Sequence, residues 1–320
     1  MSIPDRPAKT PPRRIAVAFV GLFLVLYALA VAVAEQTVAR GDVKTAFQKL
    51  LSVRGEQVDW LVLGTSHALP LAYGDVPKRL LQDTDQSMTV LAEIGAGPLY
   101  NRFVFQQALL DIAPENLLYV VDSFAFNAAD WNEDRVSDRA LLRQTPLRLS
   151  TARLMASLVA HQGVDPRGLL DYLSGFSKLN PPNRFAQDGW RGAENFDRKF
   201  RPSRYAVKSR IDYLYPDRST PDESARYLDL LVELFGEAEA AGVRVTIVKL
   251  PVPEAFRKAL PDEAGFDKAL RARLAPLGIP LHDMSAIMDD PALYFDTDHL
   301  NRVGVDRLYQ DHLLELLSRQ

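Results

Sequence analysis

Two short stretches far apart in the chain carry residues that can do chemistry together. Gly64-Thr65-Ser66-His67 leaves the apolar run Trp60-Leu61-Val62-Leu63, and Asp296-Thr297-Asp298-His299 lies near the C-terminal end. A serine hydroxyl is a poor nucleophile at neutral pH, so an imidazole must take its proton during attack and a carboxylate must hold that imidazole in the right tautomer. Ser66 as nucleophile, His299 as base and Asp296 as orienting acid fill those roles. A metal is the rival use, because Asp296, Asp298 and His299 offer oxygen and nitrogen ligands within four positions and His67 can join them. No His-x-x-x-His pattern supports it, and adjacent Asp298 and His299 point apart on an extended chain. The expectation is therefore a serine site with no metal and no cofactor.

Each motif also has a local reading. Ser and Thr favour strand ends for their own hydrogen bonds, and Asp298 can cap the last helix. Their order, at opposite ends of one alternating α/β pattern, is what favours a triad.

The elements that must position these residues follow from periodicity and punctuation. Strands are predicted over 58–64, 88–93, 116–126, 243–250 and 279–284, and helices over 100–112, 220–241, 253–277 with a break at Pro261, and 302–318. Thr220 reads as an N-cap, with Pro221 as the first helical residue and Glu223 closing a capping box. Gly242 ends that helix through a left-handed position. Alternating strands and helices with right-handed crossovers give a three-layer α/β/α sandwich around a mostly parallel five-stranded sheet of flavodoxin-like type. Working groups in such sheets gather at the carboxyl ends of the strands, which puts Ser66, Gly95, Asp122 and Asp296 on one rim.

Residues 127–219 break the alternation, being far longer than a normal connection. They carry 16 Lys and Arg against 11 Asp and Glu. Helices are expected over 146–162 and 165–178, and an ordered loop rich in Pro, Arg and aromatics over 180–215. This largely helical insertion is expected to lie over the catalytic rim, packing its own small core behind a basic face or offering a sugar-binding groove.

Residues 15–34 contain no charge and, as a helix, span the roughly 30 Å of a bilayer's hydrocarbon core. Arg6, Lys9, Arg13 and Arg14 precede this run, which places residues 1–14 in the cytoplasm as a tail and the body across the inner membrane. Ala32-Val33-Ala34 has the form of a signal-peptidase site, but the run exceeds a usual signal core, so a retained single-pass anchor is expected. Residues 35–57 read as a stalk and 58–320 as the periplasmic or extracytoplasmic domain. With 320 residues, no cysteine, a formal charge of −3 and a pI near 6, the chain has room for an unstapled core and lacks the basic footprint of a nucleic-acid binder.

On Gly64-Thr65-Ser66, Asp296-Thr297-Asp298-His299 and the helix after it, the chain resembles the SGNH/GDSL hydrolase superfamily. The likeness is to its membrane-anchored extracytoplasmic members that work with polysaccharide O-acetylation or teichoic-acid D-alanylation systems. The resemblance covers residues 58–126 and 243–320. It implies an oxyanion hole from the Ser66 N–H and a glycine N–H, Gly95 or Gly97, each worth roughly 3–4 kcal/mol. The family's Gly-x-Asn-Asp block is absent, and Val121-Asp122-Ser123-Phe124-Ala125-Phe126-Asn127 stands in its place. Asn127 or Asn101 is then the substitute donor. His67, Asn101, Asp122, Trp190 and Arg191 are the candidates for substrate contact.

What the resemblance implies is a serine esterase or O-acyltransferase, most simply for acetyl, acting on polysaccharide or another hydroxyl acceptor. Acetyl-CoA is cytoplasmic, so transfer would require a multi-spanning membrane O-acyltransferase as partner. The alternative is a non-catalytic anchored scaffold that binds such an enzyme or a glycan.

Overall fold

The computed structural model describes residues 13–43, 45–180, 191–216 and 221–318. Five strands, β1 Gln57–Leu63, β2 Met88–Val90, β3 Ala113–Val120, β4 Arg244–Lys249 and β5 Leu281–Asp283, form one sheet in the order β2-β1-β3-β4-β5. Every pairing is parallel, with Trp60 opposite Met88, Leu61 opposite Leu117, Leu118 opposite Thr246 and Ile247 opposite Leu281.

Alternation of side chains gives the sheet two buried faces. Leu61, Leu63, Leu117, Tyr119 and Ile247 pack on helices Pro98–Asp111, Pro221–Ala240 and Glu263–Leu274. Trp60, Val62, Leu118, Val120 and Val248 face the opposite layer, where helix Val76–Thr84 and the closing helical stretch from Arg302 to Ser318 lie. The architecture is thus the expected α/β/α sandwich. Gly242 terminates Pro221–Ala240 at φ +75°, and the Val243 N–H returns to the Ala238 carbonyl at 2.8 Å. Thr220 lies outside the described residues.

Several boundaries differ from the sequence reading. The third strand stops at Val120, and 123–126 tighten into a 3-10 turn, because Ser123, Phe124, Ala125 and Phe126 fold back under the insertion as a buried patch. Within 35–57, Phe47 and Leu50 of helix Ala46–Ser52 are buried in the core, with Phe47 4.7 Å from the ring of Phe103. The segment 180–215 contains the short helix Gly192–Asn195 and the three-turn helix Arg204–Leu214, which buries Val207 and Leu214 and starts at Ser203, whose hydroxyl accepts from the Ala206 N–H. The N-terminal helix Arg13–Arg40 is continuous, and its most apolar stretch has no buried residue.

Candidate active site

β1 delivers the serine. At its end Gly64 takes φ +152°, and a Cβ there would lie 2.8 Å from both Cβ and the carbonyl oxygen of Val120 on the neighbouring strand. Only glycine lets the chain turn this close to β3. Thr65 then caps a 3-10 turn over Ser66–Ala68, its hydroxyl accepting from the His67 N–H at 3.2 Å. Ser66 is thereby fixed at the rim and nearly buried.

The histidine comes from the loop between Phe295 and the last helix. The Phe295 N–H bonds the His299 carbonyl at 3.0 Å, closing a small loop, and Asn301 caps the helix through the Gly304 N–H at 3.0 Å. Inside it, Asp296 accepts from the backbone N–H groups of Asp298 and His299 at 3.1 and 2.8 Å. Both Asp296 oxygens sit 2.9 Å from His299 Nδ1, and His299 Nε2 sits 2.9 Å from Ser66 Oγ. Phe295 stacks on the imidazole at 5.5 Å with planes 12° apart. The structure therefore brings together three side chains separated by up to 233 positions, in the order hydroxyl, imidazole, carboxylate.

Two backbone N–H groups on the loops at this end of the sheet have no partner among the described residues. The loop after β2 is tied to the base of the Ser66 turn by Glu93 N–H to the Gly64 carbonyl at 3.3 Å, and Gly95 within it takes φ +61° against the face of Trp131. Neither the Ser66 nor the Gly95 N–H is used by another described residue. Gly97 is different: its N–H is spent on the Trp131 carbonyl at 2.7 Å, and a Cβ there would collide with Asn132, so this glycine permits close packing rather than donating to a substrate. Asn127 spends one of its two amide N–H groups on the Ser123 carbonyl at 3.0 Å. Asn101 donates to the Ala96 carbonyl at 3.0 Å and the Tyr119 hydroxyl at 3.2 Å, holding the Gly95 loop in place. A carboxamide so engaged has no N–H left for an oxyanion or substrate.

His67 and Asp122 meet in an arrangement the sequence did not suggest. His67 Nδ1 lies 2.5 Å from Asp122 Oδ1 and its Nε2 lies 3.0 Å from Asp298 Oδ2. Thr65 donates to the other Asp122 oxygen at 2.5 Å. Carboxylates at both ring nitrogens require both to donate, so the ring is an imidazolium. Burial opposes that charge, but Asp122 and Asp298 outweigh it and push the His67 pKa up to about 10.

Arg210, on helix Arg204–Leu214 of the insertion, completes the row. Its Nε lies 2.9 and 3.2 Å from the two Asp298 oxygens. Burial would raise the Asp298 pKa, yet Arg210, His299 and His67 hold it well below the usual carboxylate range. Asp122, His67, Asp298 and Arg210 thus alternate in sign, and Asp298 Oδ1 stands 3.6 Å from His299 Nδ1. Within the insertion Trp131 donates to the Leu214 carbonyl at 3.1 Å and meets Tyr213 at 5.4 Å, and the same ring packs on Phe124 at 5.9 Å and against Gly95 at the rim.

His67, Asp298 and His299 are close enough together to hold a cation. Their donor atoms are already used within the chain, and the Arg210 guanidinium on Asp298 would repel a cation placed there. A cavity of about 320 Å³ opens beside His67 and Asp122, walled by Phe124, Lys249, Phe256 and Glu263. Arg191 is exposed and pairs with Glu194 at 3.5 Å, and Trp190 lies outside the described residues.

No family profile and no curated protein matches the chain. Among solved structures it is similar to a Bacteroides fragilis protein provisionally described as an acylhydrolase, with a TM-score of 0.42 and 11% identity over 86% of this chain and 100% of that one. A likeness that distant leaves the functional reading to the site itself.

Proposed function

We propose that this chain is a membrane-anchored, extracytoplasmic serine esterase or O-acyltransferase of SGNH type that carries an acyl group, most simply acetyl, on Ser66. The observation that carries the reading is the pair of 2.9 Å contacts running from Ser66 Oγ through His299 to Asp296.

In the first half-reaction His299 Nε2 takes the Ser66 proton as Oγ attacks the acyl carbonyl. The oxyanion that forms is met by the unused N–H groups of Ser66 and Gly95, which act in a site with little water and so without reorganisation. Asp296 balances the imidazolium, and Asp298 at 3.6 Å adds a second negative charge to the same ring. Collapse expels the donor's alcohol, which leaves with the proton from His299, and the acyl group stays as a Ser66 ester. In the second half an acceptor hydroxyl, of a polysaccharide or of water, gives its proton to His299 and attacks that ester. A second collapse returns the proton to Ser66.

A transferase on the far side of the membrane needs acyl groups handed outward, so a multi-spanning O-acyltransferase is its natural partner. Turnover of an aryl acetate by the full chain in detergent tests the reading: Ser66→Ala and His299→Asn should each abolish it, and equal turnover by the parent and both variants would remove the triad. A scaffold role would then stand in its place, supported by the absence of the Gly-x-Asn-Asp block from the sequence.

A further inference from the structure

The insertion has a second attachment, to the N-terminal helix. Helix Pro166–Ser174 turns through Gly175, at φ +73°, into helix Phe176–Leu179, forming an elbow. Along Arg13–Arg40 the contacts descend in order. Glu35 pairs with Lys178 at 2.8 Å and accepts from the Leu147 N–H at 2.9 Å. One turn below, Val31 fills the space beside Gly175, where a Cβ would lie 2.5 Å from it. Lower still, the Tyr27 hydroxyl donates to the Ser174 carbonyl at 3.2 Å.

The length of the helix decides where this contact sits. From Ile15 to Tyr27 the rise is about 18 Å, well short of the roughly 30 Å of a hydrocarbon core. A bilayer ending at Tyr27 would be spanned by too short a helix, and the residues before Arg13 include Asp5, Arg6, Lys9 and four prolines. The core must therefore continue past Tyr27, alongside the elbow.

The elbow's surface suits that position. Leu170 and Leu173 share one helical face and are 64% and 57% exposed, with Phe176 and Leu179 half-exposed after the turn. Arg139 lies over the Phe176 ring at 5.6 Å, and Arg143 and Arg167 are exposed nearby, where lipid phosphates would stand. Polar groups that would suffer in lipid are matched: the Ser174 carbonyl accepts from Tyr27, and Lys178 is buried against Glu35 and the Thr145 carbonyl at 2.7 Å. Between helix and insertion runs a groove of about 530 Å³, with Leu29, Ala30, Val33 and Ala34 on one wall and Arg143 and Lys178 on the other. Its apolar wall below the exposed Arg143 fits a phospholipid.

Resting on the anchor reading, we propose that the elbow of Pro166–Ser174 and Phe176–Leu179 is a lipid-binding wedge set into the leaflet on the body's side of the bilayer. One helix alone leaves the body free to swing; a helix and a wedge give two attachments, which fix the height and tilt of the Ser66 rim above the lipid surface.

The absence of cysteine allows a direct test. Leu170→Cys and Leu173→Cys report on the wedge, Phe19→Cys on the anchor, and Val303→Cys, 51% exposed on the opposite layer, on the body. Each full-length variant is labelled with an environment-sensitive thiol fluorophore in phosphatidylcholine–phosphatidylglycerol vesicles. It is then quenched by acyl-chain nitroxide or by aqueous iodide. Nitroxide should dominate at 19, 170 and 173, with blue-shifted emission, and iodide at 303. Iodide dominating at 170 and 173 while nitroxide dominates at 19 overturns the wedge and leaves the anchor standing. Protection from both quenchers at 170 and 173 means protein covers the elbow and also overturns it. Iodide dominating at 19 removes the anchor, and the wedge with it.

Discussion

Two histidines whose rings lie 4.9 Å apart have opposite surroundings. His299 has a carboxylate at Nδ1 and a hydroxyl at Nε2, so Nε2 can accept from the Ser66 hydroxyl. His67 has a carboxylate at each nitrogen, so its proton is held on both sides and it acts as a fixed cation. A base needs one nitrogen that accepts a hydrogen bond; a structural cation donates from both. Being next to Ser66 in sequence therefore does not bring the His67 ring onto its hydroxyl, and the distant His299 makes that contact.

The sharpest way to break this comparison is to remove each ring and read kinetics and stability separately. His299→Asn should lower kcat/KM for an aryl acetate by roughly 10⁴–10⁶-fold, the size seen when one member of such a triad is removed. Its melting temperature should move little. His67→Gln should do the reverse, costing about 3–5 kcal/mol because Asp122 and Asp298 lose the cation between them. Chemical denaturation of both variants checks the contrast, and a similar kinetic loss in both with no loss of stability at 67 would dissolve it.

Arg210→Met should come next, at about 3 kcal/mol, since it leaves Asp298 buried with less compensation. Adding Asp298→Asn should recover part of that loss, and a double-mutant cycle measures the coupling. Strict additivity would mean that Arg210 and Asp298 do not interact.

The pH response should separate the histidines again. His67 ionises near 6.5 in an unfolded chain and near 10 in the folded one, so its stabilisation is complete below about pH 6.5 and is lost as the pH rises through about 10. Asp298 works in the other direction: its folded pKa is depressed, so its contribution is present above the unfolded value of 3.8 and is lost as the pH falls through its folded value. Melting curves of the parent should show the alkaline loss, and His67→Gln should lack that component.

The smallest effect belongs to Asn127→Ala. Loss of its bond to the Ser123 carbonyl should cost about 1 kcal/mol and leave aryl acetate turnover unchanged. A hundredfold loss of turnover would mean that the loop rearranges to supply a third oxyanion donor.

Much of this was legible in the chain because local signals and global placement agreed. Short apolar runs alternating with helical periodicity marked all five strands, and the rule that working groups lie at strand carboxyl ends joined Ser66 to a histidine over two hundred positions away. The strand order was not legible, since β1 lies between β2 and β3 through long-range pairing alone. Arg210 was missed because 180–215, crowded with Pro, Arg and aromatics, read as loop. Val207, Ile211 and Leu214 at helical spacing were the signal for Arg204–Leu214, but nothing in one sequence tells which of many arginines will meet a buried aspartate. Gly97 shows a further limit, for its N–H is spent on the Trp131 carbonyl, and backbone hydrogen bonding of that kind leaves no trace in residue type.

The triad is tested most directly by a fluorophosphonate probe, which forms a stable adduct only with an activated serine. With the full chain in detergent, mass spectrometry should find the adduct on the peptide containing Ser66 in the parent and in His67→Gln at permissive temperature, and none in His299→Asn. Failure of the parent to label, or equal labelling of the His299→Asn variant, would contradict the account.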